Sequence, residues 1–164
     1  MRYEHRFQVK VPLDAVAGFH SRASSMPAIT PPPIIVRLHH APELLGEGDV
    51  MEFTMWAGPF PLHWVAQIRD VSEEGFADRQ VRGPFALWQH RHSFVPITPD
   101  LTEVVDHVEA DLKRHVLWAP IGMAMWAGLP ILFAYRGWKT RRLLENNWTP
   151  QNAVQQRSDP GLIK

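Results

Sequence analysis

From residue 48 to residue 112 the chain reads as one strand after another with no helix-period segment between them, and a single long amphipathic segment then follows as far as Trp148. That order constrains the fold more than any other feature. "DVMEFTMW" and "LHWVAQIRDV" alternate apolar and polar residues, and "AGPFP" between them supplies the glycine and prolines of a hairpin connection. "SEEG" turns into "FADRQV", "ALWQHRHSFVPI" comes next, and "TPDL" turns into "TEVVDHVEADL". Upstream, Tyr3 to Val9 alternates as a strand that Pro12 ends. In "LDAVAGFHSRAS", Val16, Phe19 and His20 fall at helical spacing with Asp14 near the start, which predicts a short helix. "PAITPPP" predicts an extended linker free of helix, and "IIVRLHH" predicts one more strand. The last element spans about Gly128 to Trp148, where Leu129, Leu132, Phe133, Arg136, Gly137, Thr140, Leu143 and Leu144 recur at spacings of three and four. An antiparallel sheet of about six to seven strands with one face to bury, followed by a single long helix, closes most simply by curling around that helix. The predicted class is α+β, and such a curl tends to enclose a cavity.

The chain is about the length of one domain, 164 residues, and is expected to fold as one over residues 1–148 with a polar, flexible tail over 149–164. Seventeen acidic residues balance seventeen basic ones, so no global field steers the chain toward polyanions, and nucleic acid is not an expected partner. The absence of cysteine excludes disulfides, thiolate metal sites and a cysteine nucleophile. "MRYEHRFQVKVP" contains no unbroken apolar run, so the start is read as cytoplasmic.

Residues 116 to 135, "VLWAPIGMAMWAGLPILFAY", carry no charge over a length that would span a bilayer, with Arg136, Lys139, Arg141 and Arg142 as a positive flank. Against a membrane span, Pro120, Gly122, Gly128 and Pro130 divide the run into a loop and a shorter helix, and the sheet needs a cover. The expectation is a buried helix, with peripheral membrane contact through residues 116–130 as the alternative.

Strand alternation puts Trp88, His90, His92 and Phe94 on one face and Gln89, Arg91 and Ser93 on the other, wet one. Asp78 and Gln80 share a face with Phe76 on the preceding strand, and Asp106 shares one with Val104 and Val108 on the following strand. Polar groups sent into one interior must bond to each other or to a ligand. The readings open at this point are a structural network that fixes register, the polar end of a ligand pocket, a histidine general base beside a carboxylate, and metal chelation by His-x-His with Asp78 or Asp106. Arg136 on the inner helix face calls for an anion, either a carboxylate such as Asp106 or the acidic head of a ligand; alternatively it reaches the cavity mouth. Gly137 beside it lets the helix approach the sheet. Met51, Phe53, Met55, Trp64, Trp118, Met123 and Trp126 read as core before they read as a ligand box.

The phrases "MPAITPPP", "PELLGEGDVMEFTMWAGPFPLHWVAQI", "GFADRQVRGPFALWQHRHSF", "TEVVDHVEADL" and "ILFAYRGWKTRRL", in that order, resemble the START-related polyketide cyclase and lipid-transfer superfamily (SRPBCC) over residues 3 to about 146. The combination of Phe76, Asp78, Gln80, Gly83, Pro84, Trp88, His90, His92, Phe94, Asp106 and Arg136 resembles a bacterial ligand-binding branch of it, some members of which are fused to sugar-nucleotide-epimerase-like domains. The resemblance implies a helix-grip fold with a hydrophobic cavity, and a ligand drawn from lipids, polyketides, sterols or other hydrophobic molecules. It departs after Asp106, where "EADLKRHVLWAPIGMAMWAG" is richer in apolar residues and adds Trp118 and Trp126.

The expected function is binding, transport or sequestration of a hydrophobic small molecule, without a cofactor or metal, by a monomer or homodimer. Phe53, Trp64, Trp88, Phe94, Leu132 and Phe133 are the expected walls, and Asp78, Gln80, His90, His92 and Arg136 the expected polar contacts. One alternative is a cyclase or dehydratase with His90 or His92 as base against Asp78 or Asp106. Another is an interaction module with a filled interior.

Overall fold

The computed structural model describes residues 1–147; the expected tail at 149–164 lies outside the described residues. Seven strands, β1 (Arg2–Val9), β2 (Ile35–His40), β3 (Val50–Ala57), β4 (Phe60–Ser72), β5 (Gly75–Arg82), β6 (Phe85–Thr98) and β7 (Leu101–Leu112), form one antiparallel sheet in the order β1-β7-β6-β5-β4-β3-β2. Between β1 and β2 run α1 (Leu13–His20) and α2 (Ser25–Ala28), and α3 (Trp118–Asn147) follows β7. The arrangement is α+β, a curved sheet gripping a long carboxy-terminal helix. The meander from β2 to β7 joins each strand to its neighbour, and β1 returns to pair with β7, so the sheet ends at β1 and β2.

Two local expectations are corrected. The stretch read as helix-free holds α2, with Pro27 as its third residue. The first four N–H groups of a helix have no partner within it, so a proline there forfeits nothing. The 116–135 run is not split: α3 is continuous for 30 residues. Pro120 again occupies the first turn, and Pro130 removes one rung in a stretch anchored on the sheet by Leu129 and Phe133, 2% and 1% exposed.

Leu129, Phe133, Gly137 and Thr140 form the buried face of α3. A side chain at Gly137 would meet the Phe7 ring of β1 at 3.1 Å, so this glycine sets how closely helix and sheet approach. By length and composition α3 would cross a membrane, with a mean hydropathy of 1.3 over its most apolar 18 residues. Its inner face instead packs over the concave side of the sheet through Leu129 and Phe133, as the core helix. Its outer face remains apolar, with Met123, Ile131 and Trp138 exposed.

Candidate functional site

The concave face of β6 carries Trp88, His90, His92 and Phe94, all buried, while Arg91 between them is exposed. Pairing sets Asp78 of β5 opposite His90 and Asp106 of β7 opposite His92. Three adjacent strands thus deliver two imidazoles and two carboxylates to one point. Nε2 of His90 is 3.0 Å from Oδ1 of Asp106, and its Nδ1 is 3.2 Å from Oδ2 of Asp78. Nδ1 of His92 lies 2.8 Å from the same Asp106 oxygen, though out of line for a good hydrogen bond, and its Nε2 lies 3.9 Å from Asp78. A third imidazole, His20 of α1, lies 5.6 Å from the His92 ring and 5.2 Å from Phe94.

The charges follow from this geometry. Burial pushes the His90 pKa down, but hydrogen bonds to Asp106 and Asp78 and their charges outweigh it, so His90 titrates above the ordinary histidine range. Burial raises Asp78 and Asp106, and hydrogen bonds from the imidazoles reverse this, leaving Asp78 below and Asp106 well below the usual carboxylate range. Burial and the neighbouring His90 charge bring His92 down to about 4, against the pull of Asp106. Burial, then repulsion from His92, brings His20 down to about 3. Near neutrality His20 and His92 are neutral and both carboxylates are ionised, and His90 is the imidazole of the cluster that holds a proton most strongly.

This predicts a stability profile. An unfolded histidine takes up its proton near pH 6.5, whereas His20 and His92 do not until about pH 3 and 4 in the fold. Stability therefore falls as pH drops below 6.5, by about 1.4 kcal/mol per pH unit for each histidine. His90 has the opposite sign: its contribution is complete below 6.5 and is lost as pH rises through its raised folded pKa. The two carboxylates contribute above the ordinary carboxylate range and lose that contribution only below it. Urea unfolding in a chelating buffer is expected to show a decline from pH 6.5 to pH 5, shallower in His20→Phe; a flat profile over that interval would contradict these charge assignments.

Between the sheet and α3 lies a cavity of about 370 Å³, within the range of small-molecule sites. Phe53, Trp64, Trp88, Leu132 and Phe133 are in its wall, and Asp78, His90, His92 and Arg136 gather at one end. Arg136 stacks 5.4 Å over the Phe133 ring and, among the described residues, has no carboxylate at ion-pair distance, because Asp106 is held by the histidines. Asp106 itself lies behind the imidazoles, outside the cavity wall.

Gln80 and Phe94 are placed differently from the expectation. The Gln80 amide donates to the carbonyl oxygen of Phe85 at 2.7 Å and accepts from its N–H at 3.3 Å, clamping the β5–β6 turn. Phe94 is covered by His20. His20, Met26, Ile29 and Met125 also line the wall, beyond the residues that the sequence pattern predicts. His20 was visible at helical spacing, but nothing local showed that α1 packs against β6. Met51 and Met55, read as core, also line the cavity, whereas Met123 is exposed and Trp126 meets Tyr3 edge-on.

No protein-family model matches the sequence, and no curated protein does. Solved structures do match. Norcoclaurine synthase from Thalictrum flavum, in complex with dopamine and hydroxybenzaldehyde, superposes with a TM-score of 0.68 at 16% identity over 91% of this chain and 88% of its own. A START superfamily protein from Mycobacterium smegmatis gives 0.66 at 13% identity over 88% and 97%. The chain has the START-like helix-grip fold. An aromatase/cyclase from a Streptomyces species, 0.66 at 16% identity over 91% and 99%, shares it. Among these proteins the fold serves different tasks, so what this chain does has to be argued from its own cavity.

Proposed function

We propose that the chain binds a hydrophobic small molecule with an acidic head in the hollow between the sheet and α3. The observation that carries this reading is Arg136: its guanidinium is in the wall of an otherwise apolar cavity with no carboxylate partner among the described residues. Trp64 and Trp88 are also in that wall and report on binding by fluorescence. A medium-chain fatty acid is expected to bind about 10- to 100-fold more tightly than the alcohol of equal length, the worth of a charge-assisted hydrogen bond. Arg136→Met erases the difference. Equal affinity in the wild type would refute the acidic head, and no quenching by either compound would refute the binding.

A second reading, a cyclase or dehydratase, is favoured by the neutral His92 in the same wall beside Asp106. Under that reading His92→Gln abolishes turnover of a true substrate and leaves its binding nearly intact. Peripheral contact of a cytoplasmic protein with anionic membranes is supported by Val116 and Leu117, 85% and 65% exposed beside Lys113 and Arg114. Cosedimentation with phosphatidylglycerol vesicles, lost in Val116→Ser/Leu117→Ser, tests it; equal cosedimentation of wild type and variant would refute it.

A further inference from the structure

We propose that Asp78, His90 and His92 form a site for one divalent transition-metal ion, with Asp106 orienting both imidazoles from behind. The three donors come from adjacent strands and bring one oxygen and two nitrogens within 4.8 Å of one another. Asp78 Oδ2 stands 3.2 Å from Nδ1 of His90 and 3.9 Å from Nε2 of His92. A four-coordinate ion with bonds of about 2.1 Å separates its ligand atoms by about 3.4 Å, so small side-chain rotations complete the set.

The second, independent observation is on the opposite side of the rings. Nε2 of His90 and Nδ1 of His92 both approach one oxygen of Asp106, at 3.0 and 2.8 Å, and Asp106 is only 4% exposed. A carboxylate behind a metal-ligating histidine fixes its tautomer and makes the ligating nitrogen more basic; here Asp106 does so for His90, and a small turn of the His92 ring onto an ion would bring its Nδ1, at 2.8 Å, into line with the same oxygen. Asp78, by contrast, is 22% exposed and belongs to the cavity wall, which gives an ion a way in and leaves its remaining positions facing the cavity. The ion takes the place of any proton on Nδ1 of His90, and the charges of Asp78 and Asp106 then balance a divalent cation. Two nitrogens and one carboxylate oxygen favour Zn²⁺ and Co²⁺ over Mg²⁺ and Ca²⁺, which prefer all-oxygen shells.

The probe is Co²⁺ added to protein stripped with EDTA and desalted. The expected result is one Co²⁺ per chain, visible d–d bands, and displacement by Zn²⁺. Paramagnetic shifts should centre on the rings of Phe76, 4.7 Å from His92, and Phe133, 5.2 Å from His90. Asp78→Asn and His92→Gln abolish binding, and Asp106→Asn weakens it about 10- to 100-fold. His63→Gln, which alters the exposed His63–Glu52 pair, changes nothing. Absence of the bands in the wild type, full binding in Asp78→Asn, or shifts centred on His63 would overturn the proposal. The wild-type spectra require no variant to fold, and fatty-acid titration in EDTA reports separately on the proposed ligand, so the two readings fail independently.

Discussion

Replacing Asp106 with alanine is expected to cost about 3–5 kcal/mol of folding stability, the usual penalty for removing one partner of a buried charge cluster. Among the described residues, Asp106 alone contacts both imidazoles at 3.0 Å or less, and without it His90 keeps Asp78 as its carboxylate partner there. The informative comparison replaces the whole cluster, Asp78→Leu/His90→Leu/His92→Leu/Asp106→Leu, so that no carboxylate is left without its imidazole. Apolar groups need no partners, so the quadruple variant is expected to lose less than the single one, as judged by urea unfolding. That ordering would mean the cluster is kept for what it does in the cavity and not for stability. A loss below about 1 kcal/mol in Asp106→Ala would show that the cluster is not coupled as described.

Gly75→Ala is expected to cost about 3 kcal/mol or more through the backbone. Gly75 opens β5 at φ +142°, a conformation that side chains rarely adopt, and lies opposite Ser93 of β6. A methyl group there would fall inside the carbonyl oxygen of His92. Relief requires the strands to part beside His92, so the substitution should shift the ring signals of His92 and Phe76 in NMR spectra as well as lower the unfolding midpoint. An alanine variant as stable as the wild type would show that the strand pair is not held this closely.

Much of the site was legible because strand alternation leaves little choice. Arg91 and Gln89 mark the wet face of β6, and Trp88, His90, His92 and Phe94 must then point inward. The short connection at Gly83–Pro84 and the turn in "TPDL" make β5 and β7 the neighbours of β6, which brings Asp78 and Asp106 alongside. What stayed hidden depends on packing between distant elements. That α1 lays His20 over Phe94, removing Phe94 from the wall, is a contact between residues far apart in the chain. Gln80 alternates correctly for the interior but bends to the Phe85 backbone across Gly83, where any side chain would collide with it. The prolines of α3 misled for a related reason: propensity is local, whereas the sheet that holds the helix together is not.

The central claim is that the hollow holds a hydrophobic guest. Native mass spectrometry of the protein as purified from its expression host, then exposed to a panel of fatty acids, sterols and aromatic polyketides, tests it most directly. The account predicts a reproducible non-covalent apolar adduct that disappears in Leu132→Trp, in which the added ring occupies the cavity. A bare mass that no member of the panel shifts would contradict it and would leave the interior a packed core.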